Sequence, residues 1–143
     1  MEELILRLEE VLKAEGNVYA ALCNRLPLKM ALIKRNQVQQ LDRFVTQEEA
    51  ELKKLAEWGH QRETLVSQLA ARFSVAPRWS ELEKALPASL RERLKPSIER
   101  LRAQAETLKE GNWQCEQLLQ AALRYVDYSV NLIASAFTVP DTS

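Results

Sequence analysis

Two cysteines, one histidine and twenty carboxylates are the residues of this chain that could do chemistry. Cys23 and Cys115 stand far apart and show no metal-ligand spacing, so both read as reduced thiols of a cytosolic protein. Cys115 falls among apolar residues at helical spacing and reads as a small core residue. His60, between Gly59 and Gln61, reads as a surface or edge residue. A di-iron site of the four-helix kind needs inward carboxylates with Glu-x-x-His motifs on two helices, which one histidine cannot supply. There is no glycine-rich phosphate loop, and Glu48, Glu49 and Glu51 beside Lys53 read as solvated charge on a helix face. Catalysis, metals and cofactors are therefore not expected. The remaining chemistry is binding.

The stretch 112–137 carries that chemistry. Read as a helix, it places Gln117, Gln120, Arg124, Asp127 and Asn131 on one polar stripe, and nearly everything else is apolar or small. One seam runs through Cys115, Leu119, Ala122, Val126, Ser129, Ile133 and Ala136. A second runs through Leu118, Ala121, Tyr125, Tyr128 and Leu132, and Leu123, Val130 and Phe137 recur at heptad steps. A helix with one packing partner needs an apolar face of about 100°, and this one has more. Either it occupies the centre of its own bundle, or it keeps a face for another protein.

The elements that must position this stretch are helical. The 143 residues suit one domain, with twenty basic and twenty acidic residues giving zero formal charge. No clustered positive charge points to nucleic acid or an anionic membrane. Three glycines and five prolines are few. The acidic, amphipathic start is unlike a signal peptide, and the polar stripe of 112–137 argues against a membrane span, so the chain reads as cytoplasmic. The expected fold is all-α: an elongated antiparallel bundle of three long helices, with one or two short helices before the last. Helix one occupies 1–35 on Leu4, Leu8, Val11, Val18, Leu22 and Leu26, with a kink expected at Pro27. Asn36 with Gln39 resembles a capping box opening helix two, 36–73. Its seam is Leu41, Val45, Glu48, Leu52, Leu55, Gly59, Arg62, Val66, Leu69 and Phe73, a 3.5-residue repeat that asks for near-parallel packing.

Polar residues interrupt these seams at Glu15, Glu48, Arg62 and Asn112. Folding the chain back near Asn36 brings Glu15 opposite Gly59, within reach of Arg62, and Glu48 opposite Arg25 and Leu26. Two readings stand: paired polar layers that fix register, or side chains reaching out to the bundle edge. Residues 74–95 are punctuated by prolines, and Ser80 with Glu83 resembles another cap. Leu82, Leu86, Leu90 and Leu94 there imply short helices closing the end of the hairpin, with Trp79 as a plug. Pro96 fits the first turn of the last helix, 96–137, which would be roughly 60 Å long against about 50 Å for the hairpin. Part of it is therefore free to project, and 138–143 is expected to be a disordered tail.

Three segments together resemble the FlgN family of flagellar type III export chaperones. They are Asn36-Gln37-Val38-Gln39-Gln40-Leu41 after the kinked first helix, Glu48-Glu49 through His60-Gln61-Arg62, and Leu108-Lys109-Glu110-Gly111-Asn112-Trp113 followed by Leu118-Leu119 and Leu123-Arg124-Tyr125-Val126. The resemblance covers almost the whole chain, and it rests on order and spacing. It implies a chaperone that holds the hook–filament junction proteins FlgK and FlgL in the cytoplasm by a C-terminal segment of the client. The C-terminal helix does the holding, and the client is then delivered to the export gate protein FlhA. On this chain the implied contacts are Leu118, Ala121, Tyr125, Tyr128 and Leu132, then Leu123, Val130 and Phe137. The alternative for these residues is burial within the bundle or in a homodimer, which would make the chain a self-associating coiled-coil adaptor. One departure concerns the Tyr-Gly element that some members use at the gate. Thr138-Val139-Pro140-Asp141-Thr142-Ser143 lacks it, and Tyr125 and Tyr128 inside the helix are not its equivalents.

Overall fold

A computed structural model of the chain describes the backbone of residues 1–137 and the side chains of residues 1–135. Among the described residues there are four helices and no strand: α1 (Glu2–Lys34), α2 (Val38–Arg72), α3 (Trp79–Ala85) and α4 (Ala88–Phe137). Helix α1 lies at the centre and packs along both α2 and α4, while α3 packs on α2. Glu15 pairs with Arg62 and Lys29 with Glu48, so α1 and α2 run antiparallel. Arg93 pairs with Glu2, the Cys23 thiol donates to the Gln104 carbonyl, and Gly111 lies against Leu26, so α4 runs parallel to α1.

Helix α1 is continuous through Pro27, whose exposed position leaves the missing hydrogen bond on the solvent side. It ends in a Schellman motif. Asn36 takes a left-handed φ of 54°, its N–H bonds to the Ile33 carbonyl, and the Gln37 N–H reaches back to Leu32. Asn36 thus terminates α1 instead of opening α2, which begins at Val38 without a side-chain cap. Asparagine suits the position because its short polar side chain tolerates left-handed backbone. Helix α2 ends the same way at Ser74, with φ 56° and the Val75 N–H bonded to the Ala70 carbonyl.

Two further boundaries differ from the sequence expectation. Ser80 does not cap α3; it lies inside the helix, one residue past Trp79, and Arg78 occupies the capping position. Helix α4 starts at Ala88, so Pro96 is interior to it, and Leu90 and Leu94 are its residues. One short helix, α3, therefore precedes α4. Burial explains the extension: Leu86 and Leu94 both sit in the core, and continuous helix from Ala88 delivers Leu94 to Ile5 and Leu8.

The core has two compartments. One gathers Ile5, Leu8 and Leu12 with Leu65, Leu69, Leu82, Leu94 and Ile98 at the α3 end. The other gathers Val18, Leu22, Leu26 and Ile33 with Leu108 and Cys115 near the α1–α2 turn. Glu15 lies between them, 1 % exposed, and Trp58 packs against both. Among the described residues no helix is long and apolar enough to cross a membrane.

Candidate functional site

The polar residues of the seams are held in different ways. Arg62 Nε donates to both Glu15 oxygens, at 2.8 and 3.1 Å. Gly59 lies beside this pair, and a Cβ there would stand at ordinary contact distance, 3.5 Å from Glu15 Oε2 and 3.6 Å from Arg62 Nη2. Burial pushes the Glu15 carboxyl above its ordinary range, and the Arg62 charge and hydrogen bond oppose that rise. Glu48 does not meet Arg25. It accepts from Lys29 Nζ at 2.9 and 3.1 Å, one helical turn further along α1. Arg25 stacks on the Phe44 ring at 4.5 Å and donates to Gln47 instead. The hairpin reverses through Arg35 to Gln37, where the spacing placed it, and the long Lys29 side chain reaches Glu48 from the turn of α1 next to Arg25. Asn112 is half-buried, and its Oδ1 has no hydrogen-bond partner among the described residues.

The thiols are inert in this setting. Burial pushes both Cys23 and Cys115 up from the ordinary thiol range, which disfavours the reactive thiolate. His60 is exposed on α2. Among the described residues no group of three or more His, Cys, Asp or Glu side chains could hold a metal ion.

The unusual surface lies on α4. Its first part is buried against α1 as far as Cys115, and Leu118 packs partly against the same cluster. There α1 runs out, because Ile33 of the same cluster is next to its last helical residue. Helix α4 continues, and residues 119–137 span about 28 Å at the helical rise of ~1.5 Å per residue. Every described side chain from Leu119 to Ser135 is exposed except the half-buried Ala122 and Ser129. The exposed set includes Tyr125 at 71 %, Leu123 and Tyr128 at 63 %, Val130 at 56 % and Leu132 at 53 %, with Ala121 beside them. Phe137 ends the helix, and its side chain lies outside the described residues, as does the tail 138–143.

The residue pattern had assigned Leu119, Val126 and Ile133 to the packing seam. They are exposed as well, at 38 %, 53 % and 58 %, and so is Trp113 at 56 %. The seam is regular along all of α4, but beyond Leu118 its described large apolar residues are exposed. The unequal helix lengths carry this signal, 50 residues for α4 against 33 and 35 for α1 and α2, and the expectation that part of the last helix projects rests on them. The polar stripe Gln117, Gln120, Arg124, Asp127 and Asn131 is exposed too, so the free segment is an amphipathic helix with both faces in water.

A compact helical body with a bare amphipathic helix is the form of a protein that binds other chains by offering a helix surface. The chain matches the FlgN protein family over residues 1–142, and it belongs to that family of flagellar export chaperones. The family is one of chaperones, not of enzymes. Searches of curated proteins and of solved structures give no match.

Proposed function

We propose that this chaperone binds the C-terminal segment of the hook–filament junction proteins, FlgK and FlgL, and keeps them from polymerising in the cytoplasm before export. The observation that carries the reading is the apolar surface of α4 beyond Leu118, with six large apolar side chains from Tyr125 to Ile133 more than half exposed. Monomeric proteins rarely leave contiguous apolar patches of this kind uncovered. An amphipathic client helix laid along Leu119, Val126 and Ile133 would continue the seam that α1 fills lower down. Tyr125, Tyr128 and Leu132 would line one flank and Leu123 and Val130 the other. Ordering the client tail on binding costs conformational entropy, which leaves an affinity suited to release at the export gate. Delivery to FlhA belongs to the same proposal.

Hydrogen exchange with and without a C-terminal peptide of a junction protein tests the reading. Residues 119–135 are expected to exchange fast in the free chaperone and to slow by at least about tenfold with saturating peptide, as a newly packed helix does. Protection of that segment that rises with chaperone concentration alone, and is indifferent to the peptide, would make the surface a self-association site instead.

A further inference from the structure

A second opening lies on the body, away from the free segment of α4. Helices α2 and α4 both pack on α1, and no comparable interface joins them to each other. Between them lies a cleft of about 530 Å³, closed at one end by the residues that lead into α3. That volume falls in the ~300–1,000 Å³ range of clefts that take ligand side chains. Its apolar lining comes from Val66 of α2, Ile98 and Leu101 of α4, Trp79 of α3 and Tyr19 of α1. Its charged lining is three arginines, Arg62, Arg78 and Arg102, against one carboxylate, Glu63. Arg62 is engaged by Glu15, while Arg78, at the closed end, and Arg102, on the α4 wall, are exposed.

The chain as a whole carries no net charge, so a local excess of cations over an apolar floor is a property of this place and not of the composition. A trough between two helices resting on a third is the vacant position of a four-helix bundle. We propose that this cleft is a docking site for an acidic amphipathic helix of a second protein. Its apolar residues, spaced by three and four, enter between Trp79 and Leu101, and its carboxylates face Arg78 and Arg102. One arginine at the closed end and one on the α4 wall fix the register of such a helix, because guanidinium groups hold carboxylates in defined geometry.

The test uses the full chain labelled with 5-fluorotryptophan, whose three tryptophans report on three places: Trp58 in the core, Trp79 in the cleft and Trp113 on α4. Two synthetic helical peptides with identical leucine spacing are titrated, one with glutamate at all other positions and one with lysine. The glutamate peptide is expected to shift the Trp79 resonance saturably, at least about tenfold more tightly than the lysine peptide. The paired change Arg78→Glu and Arg102→Glu, at exposed positions that leave the fold intact by circular dichroism, is expected to reverse the preference. No shift at Trp79, equal affinity for both peptides, or a preference untouched by the charge reversal would each overturn the proposal. An equal Trp79 shift from free glutamate alone would do so too, leaving a small-anion site. A response confined to Trp113 would also overturn it, while leaving the α4 surface as the binding site of the preceding proposal.

Discussion

At the scale of single residues, the Glu15–Arg62 pair separates the two halves of the core. Glu15 is almost completely buried and has its carboxyl pushed upward despite Arg62, so desolvation outweighs the pairing. The sign of the pH dependence follows. A carboxyl raised in the folded state contributes stability that is fully present below its ordinary pKa and lost as pH rises through the raised one. Arg62→Ala removes the influence that lowers the Glu15 pKa and leaves a buried charge unpaired. It is expected to cost about 2–3 kcal/mol at pH 7 in urea unfolding, below the ~3–5 kcal/mol of a fully buried pair because Arg62 is partly exposed. That penalty is expected to shrink as the pH is lowered and Glu15 takes up its proton. Adding Glu15→Gln should restore most of the loss at pH 7, and a double variant no more stable than Arg62→Ala would show that the charge is not the cause. The presence of Glu15 and Arg62 on facing seams was legible from the repeat. The partner of Glu48 was not, because Arg25 and Lys29 stand one turn apart on α1 with long side chains that both reach α2, one to Gln47 and one to Glu48.

At the scale of elements, glycine governs how closely the helices meet. Gly111 stands inside α4, where a glycine weakens a helix by about 1 kcal/mol relative to alanine. It is buried, and a Cβ there would collide with a methyl of Leu26 and also stand 3.1 Å from its Cγ. Leu26 is 6 % exposed and packed in the core cluster with Leu22, Ile33, Leu108 and Cys115. Gly111→Ala is therefore expected to destabilise the fold by about 1–2 kcal/mol in thermal or denaturant unfolding, as overpacked sites do. A gain in stability would mean that helix propensity outweighs the close approach. Helix type and approximate extent were legible throughout from spacing by three and four. The boundaries near Asn36, Ser80 and Pro96 were not, because each residue suits more than one role. Asparagine caps either end of a helix, and proline is tolerated inside α4 where its position is exposed.

At the scale of the whole molecule, the body and the free segment of α4 are energetically separate. A chain ended after Ala122 loses almost no buried apolar surface, since the residues beyond are exposed. Its unfolding temperature is expected to stay within about 3 °C of the full chain, a change of under ~1 kcal/mol, while binding of a junction-protein peptide is lost. A large drop in unfolding temperature would place the segment in the core. The sequence by itself determined the all-α class, the three long helices and the amphipathic character of 112–137, because periodicity is a local property of the chain. It could not say whether the apolar seam of the last helix is filled, because exposure depends on where the other helices stop. Only the tertiary structure decided that: α1 ends beside Leu118, and among the described residues the large apolar side chains of the seam beyond it, Leu119, Val126 and Ile133, are left exposed.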